Sequence, residues 1–140
     1  MQLREFIQSP AYTCSATTTL ASAAHEMEIH NVGSLVVTDD AERIVGIVTD
    51  RDLARSLAHG RDGTSTIEQI MSRDVVTIPE SASLDDAGAA MDARGVRRLP
   101  IADPQGHAVG IICLDDLYNY LTQETITLAG AVRAQGSPRR

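Results

Sequence analysis

Two short segments carry side chains able to hold a polar ligand. The first is Gly46-Ile47-Val48-Thr49-Asp50-Arg51-Asp52-Leu53. The second, 64 positions later, is Gly110-Ile111-Ile112-Cys113-Leu114-Asp115-Asp116-Leu117. Each runs from apolar residues, most of them β-branched, through a polar turn into a helical pattern. Thr49-x-x-Asp52 has capping-box spacing, in which a hydroxyl and an acidic side chain satisfy the orphan amides of a helix start. The same groups suit a ligand. An Asp carboxylate accepts two hydrogen bonds, which matches a ribose 2′,3′-diol. A Thr hydroxyl beside first-turn amides matches a phosphate at a helix N-terminus. In the second segment Cys113 replaces the hydroxyl residue while Asp116 remains, and a thiol is a weak donor and acceptor.

The flanking chain supplies the elements that position these segments. Leu20, Ala23, Ala24 and Met27 follow helical spacing, with Thr18 or Thr19 as N-cap and Asn31-Val32-Gly33 as the stop. Leu35-Val36-Val37 and Ile44 to Val48 read as a hairpin around Asp39-Asp40-Ala41-Glu42. Thr49 opens a helix to about Ala58. Ile67, Ile70 and Met71 suggest a short joining helix, and Val75 to Ile78 a brief strand ending at Pro79. Leu84, Ala87, Ala90 and Met91 repeat the first helix. Leu99-Pro100-Ile101 repeats the strand, with Pro100 expected to hold it to an edge or an unpaired position. Val109 to Ile112 is the next strand, and Asp115 to about Thr122 the last helix. Leu3, Phe6 and Ile7 suggest a helical turn in the lead-in. Residues past Thr125 read as a tail that is disordered at its end.

One offset relates the halves. Thr13 meets Thr77, Leu20 meets Leu84, Met27 meets Met91, Val32 meets Val96, Leu35 meets Leu99 and Asp39 meets Asp103, each 64 positions apart with no insertion. Two copies of one β-α-β-β-α unit follow. Neither has enough core to stand alone, so they are expected to pack together with pseudo-twofold symmetry and to form two related clefts.

A net charge of −7 over 140 residues argues against general binding to nucleic acid or an anionic membrane. Aromatic content is 3%, so the core must be aliphatic. Two cysteines, Cys14 and Cys113, form no metal spacing and no disulfide framework; with no apolar leader at the N-terminus, a reduced, cytoplasmic setting is expected. His25, His30, His59 and His107 join no catalytic constellation. An enzyme is not expected, because base, nucleophile and clustered-carboxylate metal site are all wanting.

The pattern resembles the tandem CBS (cystathionine β-synthase-type) domain pair, or Bateman module, over about Phe6 to Gln123. It is carried by Gly46–Asp52 and Gly110–Asp116, by Val32–Val37 and Val96–Ile101, and by the Ile70–Ile78 joint. The resemblance implies an α/β (α+β) fold. Its parts are a lead-in over 1–9, repeats over 10–62 and 63–125 (the second with its linker helix), and a tail over 126–140. It implies a sensor that binds an adenosine-containing ligand (AMP, ADP, ATP, an NAD-type dinucleotide, S-adenosylmethionine or a cyclic dinucleotide) between the repeats, with no catalytic cofactor. Under it, the first cleft holds Ile47, Thr49, Asp50, Arg51 and Asp52, completed by Thr77, Ile78 and Pro79. The second holds Ile111, Cys113 and Asp116, with Arg97 and Arg98 toward phosphate, completed by Thr13, Cys14 and Ser15. Cys14 and Cys113 then line one cleft. A homodimer packed through its helices and an effector protein reached in trans are the expected partners. The alternative is a protein–protein adaptor with vestigial clefts.

Overall fold

The computed structural model of the protein describes Leu3, Ile7 and residues 10–126. The first repeat comprises β1 (Thr13–Ser15), α1 (Leu20–His30), β2 (Ser34–Thr38), β3 (Ile44–Thr49) and α2 (Asp50–Ala58). The second comprises β4 (Ile78–Pro79), α3 (Leu84–Arg94), β5 (Arg98–Ala102), β6 (Ala108–Cys113) and α4 (Leu114–Ile126). Each builds one three-stranded sheet, β1-β2-β3 and β4-β5-β6, with the first pair parallel and the second antiparallel. The parallel pair requires a crossover, and α1 and α3 supply it.

Local chemistry explains the boundaries. Thr19 Oγ1 accepts from Ser22 N–H at 3.1 Å to start α1. Ser83 and Asp86 form a reciprocal capping box on α3. The helices end at Asn31 (φ 51°) and Gly95 (φ 63°), both in the left-handed region that Gly and Asn tolerate best. Both hairpin turns are wound on an aspartate. Asp39 Oδ1 accepts from the amides of Ala41 and Arg43, and Asp103 Oδ1 from those of Gln105 and His107, all at 2.9 Å. The two turns then meet, Ile44 N–H donating to Gly106 C=O at 3.0 Å, which ties one sheet to the other.

Each repeat has its own core. Leu20, Ala23, Met27, Leu35, Val37 and Val48 fill the first, and Ala87, Met91, Leu99, Ile101 and Ile112 the second. Both methionines at helical core positions pack there. The joining segment is a single 3₁₀ turn, Ile67–Gln69. Its Ile67 is fully buried in the first core, and Met71 packs beside it. Leu3, 64 positions earlier, is fully buried in the second core. Ile67 N–H donates to Thr18 C=O at 2.8 Å, and Leu3 N–H to the equivalent Ala82 C=O at 3.4 Å. Each core is thus closed by the segment that precedes the other repeat's strands.

Of the two places expected for Pro100, an edge is ruled out: it lies in the central strand of its sheet, opposite Ile111, and is fully buried, while its side toward β4 is unpaired. The proline is tolerated because its nitrogen faces β4, not β6. At the equivalent place in the first repeat, Val36 N–H donates to Tyr12 C=O across to β1. Pro100 has no N–H to offer, so that bond cannot form. The strand expected over Val75 to Ile78 accordingly shrinks to Ile78–Pro79. The lead-in helix and the disordered tail fall largely outside the described residues. No helix among the described residues is long and apolar enough to cross a membrane.

Gly46 marks a close approach. A Cβ there would lie 2.7 Å from Met71 Sδ and 3.0 Å from Ser72 C=O, where the linker bonds to Ile47. Gly46→Ala is expected to destabilise the fold by about 1–3 kcal/mol through overpacking. The midpoint of urea unfolding measures it; an unchanged midpoint would mean the linker shifts freely.

Candidate functional site

Side-chain alternation places Leu35, Val37 and Val48 in the first core, so Ile47 and Thr49 lie on the opposite face of that sheet. Leu99, Ile101 and Ile112 likewise leave Arg98 and Pro100 on the opposite face of the second sheet. These two faces meet around a cavity of ≈ 250 Å³. One edge is Ile47, Thr49 and Asp52; the linker adds Ser72, Asp74, Val75 and Val76; the far edge is Val96, Arg97, Arg98 and Pro100.

The near edge is the β3–α2 junction. Asp52 N–H donates to Thr49 Oγ1 at 3.1 Å, and Thr49 N–H donates to Asp52 Oδ2 at 2.9 Å, so the capping box is formed. This fixes the Asp52 carboxylate at the cavity wall while it stays half-buried. The amide of Asp50 donates to Gly33 C=O at 2.9 Å. Two first-turn amides therefore already have acceptors within the fold, which leaves the helix start a weaker phosphate site than its sequence suggests.

The far edge is cationic. Arg97 Nη2 lies 3.9 Å from Asp115 Oδ1, with both side chains more than half exposed, a pairing of little strength. Arg98 lines the cavity, and its Nε is buried with no hydrogen-bond partner among the described residues. A buried donor left unsatisfied costs about 1–3 kcal/mol. Between the edges, Ile47, Val75, Val76, Val96 and Pro100 offer apolar walls suited to a flat ring.

The structure regroups several expected residues. Arg97 and Arg98, assigned by resemblance to the second cleft, line the cavity of Thr49 and Asp52. The entry to β5 lies over the β3–α2 edge, because the sheets meet through the faces away from their cores. Thr77, Ile78 and Pro79 do not line it, and Val75 and Val76 take their place. Ile78 is buried in the second core, and Pro79 is exposed. Thr77 instead borders a neighbouring cavity of ≈ 220 Å³ with Arg73 and Gly106. Asp50 is half-buried and Arg51 exposed, and neither lines the Asp52 cavity. Ser72, Asp74, Val96 and Pro100 were missed as lining residues. The offset that flagged Val96 and the turn residues Ser72-Arg73-Asp74 pointed to them only as structure.

The second segment is closed. Ile111, Cys113 and Asp116 are all buried. Cys113 Sγ donates to Asp116 Oδ2 at 3.1 Å, and Cys113 N–H reaches the same oxygen at 3.3 Å. The thiol thus covers the carboxylate that Thr49 leaves accessible in the first repeat. Thr13 and Ser15 are exposed, Ser15 bonding to Thr17 and Thr18. Cys14 packs against the first core, whereas Cys113 occupies the opposite face of the other sheet, so the two thiols do not share a cleft. Tyr12 stacks on His30, ring centroids 3.9 Å apart. Among the described residues no group of three or more His, Cys, Asp or Glu is placed to hold a metal.

Burial lifts the Cys14 thiol from 9.0 to about 11. Burial, then the bond and charge of Asp116, lift Cys113 to about 11 as well. Since the thiolate is the nucleophile, neither should alkylate at pH 8 in the folded protein. Mass spectrometry after iodoacetamide should find label only when urea is present; prompt labelling without it would contradict the packing described.

Comparison with known proteins agrees with this architecture. The model of the CBS domain family matches residues 3–59 and 67–123, beginning each time at the residue that plugs the other repeat's core. The CBS domain-containing protein YhcV of Bacillus subtilis is 37% identical over 125 residues, 88% of each chain. A 17.7 kDa protein of Acidianus ambivalens is 38% identical over 83% of this chain and 70% of its own. Among solved structures, the CBS domain pair of protein MJ0100, in complex with 5′-methylthioadenosine and S-adenosyl-L-methionine, superposes with a TM-score of 0.81 at 27% identity. It covers 89% of this chain and 98% of that one. Repeat, fold and family match coincide: the chain belongs to the CBS domain family and carries two CBS domains in tandem.

Proposed function

We propose that this protein is a regulatory module that binds an adenosine-containing nucleotide in the cleft between its repeats and acts on a partner protein. The observation that carries the reading is the ≈ 250 Å³ cavity, which sets Thr49 and Asp52 of one repeat against two arginines of the other across apolar walls. The carboxylate suits the ribose diol, the walls suit adenine and the guanidinium groups suit phosphate. The adenosine ligands named for the similar CBS pair support the same ligand class. The module does no chemistry in this reading; it works in the cytoplasm and transmits occupancy. Exposed Ile29, Leu57 and Tyr118 on the helices fit a homodimer packed through helix faces.

A thermal-shift screen tests it with AMP, ADP, ATP, NADH, S-adenosylmethionine, 5′-methylthioadenosine and cyclic dinucleotides. A ligand at 100 times its dissociation constant adds about 2.7 kcal/mol, a clear rise in Tm. No shift with any of them would overturn the sensor reading. It would favour the adaptor reading, to which the closed Cys113–Asp116 segment already lends support for the second cleft.

A further inference from the structure

We infer that two copies of this chain associate head to tail, with the helices of the first repeat of one copy packed on the helices of the second repeat of the other. The inference rests on the helix-packed homodimer proposed above and names the orientation of its interface.

In each repeat two helices lie side by side, α1 with α2 and α3 with α4. α2 buries Leu53 and Ser56 and turns Arg51, Ala54 and Arg55 outward. At the matching positions α4 turns out Asp115, Tyr118 and Asn119. One repeat thus offers two arginines where the other offers an acid and an aromatic ring. α3 adds Asp85, Asp86 and Asp92, all exposed, around the small Ala89 and Ala93. The matching places on α1 hold Ala21, Ser22 and Glu28 around His25 and Ile29.

The two helix faces therefore differ in charge. Among the described exposed side chains, the helices of the first repeat balance Glu26 and Glu28 with Arg51 and Arg55. Those of the second carry the four aspartates against Arg94 alone, and Asp74 takes up Arg94 at 3.1 Å. Arg97, at the entry to β5, meets Asp115 only at 3.9 Å. No ion pair within the described residues engages Arg51 or Arg55.

A dimer with a two-fold axis can join these faces in two ways. Head to head, the acidic face meets itself and the two arginines meet their copies, so like charges are opposed on both sides of the axis. Head to tail, Arg51 and Arg55 meet the aspartates and Tyr118, and the symmetry makes that contact twice. Carboxylates and an aromatic face both attract a guanidinium. Like-charge opposition excludes the other arrangement. Ile29 and Leu57 supply apolar area in either case, so charge decides the orientation.

Sedimentation equilibrium of the full chain measures the dimer, and a short bismaleimide cross-linker applied to single-cysteine variants measures its orientation, with the unaltered chain as blank. Ala54→Cys and Asn119→Cys, mixed and left to exchange, should be joined to each other, while neither should be joined to itself. The dimer should tighten as salt falls, and Arg51→Glu with Arg55→Glu should weaken it at least about tenfold. Asp115→Arg added to that variant should recover at least about threefold, which also shows that the altered chain is folded. Self-linking of either cysteine variant overturns the inference and leaves the homodimer standing. So does a dimer that tightens with added salt, or one that the two glutamates leave unchanged. A dimer in which no pair is joined, or a chain that stays monomeric, overturns both the orientation and the helix-packed homodimer, while nucleotide binding is read separately by the thermal shift.

Discussion

Asp52→Ala should weaken nucleotide binding at least about 100-fold, while Asp116→Ala leaves it nearly unchanged. A diol donates two hydrogen bonds to an ionised carboxylate, each worth about 1.5–3 kcal/mol, and 1.4 kcal/mol is tenfold in affinity. Asp52 lines the cavity and is half-buried. Asp116 is 8% exposed, and its Oδ2 accepts from the Cys113 thiol and amide. Alanine at position 52 also removes half of the capping box, a loss of about 1 kcal/mol in stability. Titration calorimetry separates the two effects when Asp52→Asn is run beside it. The amide oxygen can still accept from Thr49 N–H, so the helix start is kept, but the charge that strengthens the diol bonds is gone. Affinity should fall in both variants, and stability mainly in Asp52→Ala. Should Asp116→Ala abolish binding and Asp52→Ala spare it, the working cleft would be the one that Cys113 closes.

The second large effect is on stability. Ile67→Ala should destabilise the protein by about 2–5 kcal/mol, a large part of the roughly 5–15 kcal/mol that holds a native protein together. Ile67 is fully buried in the first core although it follows that repeat in the chain. Its backbone cannot swing away to let the core collapse. Its N–H is bonded to Thr18 C=O at 2.8 Å, and its C=O accepts from Ile70 and Met71 at 3.0 and 2.8 Å. Truncation therefore leaves a cavity. Tm should drop by about 10 °C at a midrange loss for a chain this size. The half-buried neighbour Ile70 is the control, and Ile70→Ala should cost clearly less. Equal losses at both sites would show that the linker acts as a whole rather than through one plug.

Much of the fold was legible because its signals are local. Thr49 and Asp52 sit three residues apart, and the box they form needs only the helix they start. Leu20, Ala23 and Met27 share one helical face, and Leu35 to Val37 one strand, so periodicity alone places them. The 64-residue offset exposed the tandem unit, because two copies that fold alike must carry like residues at like places.

Membership of the cleft was not legible, because it depends on which sheet faces meet. Arg97 and Arg98 adjoin the Asp116 half in sequence, yet they line the cavity of Asp52. Leu3 and Ile67 each follow chain order into one repeat and pack into the other's core. Pro100 reads as a residue at an edge or an unpaired position, but the direction its nitrogen faces decides which, and only the paired strands reveal that direction. The thiol of Cys113 reads as a missing hydroxyl, and burial turns it into a cover for Asp116. The sequence by itself determined the elements and their repetition, through hydrogen bonds and side-chain faces spanning a few residues. The tertiary structure alone decided which charges share a cavity, since that follows from the packing of two sheets whose contacting residues are far apart in the chain.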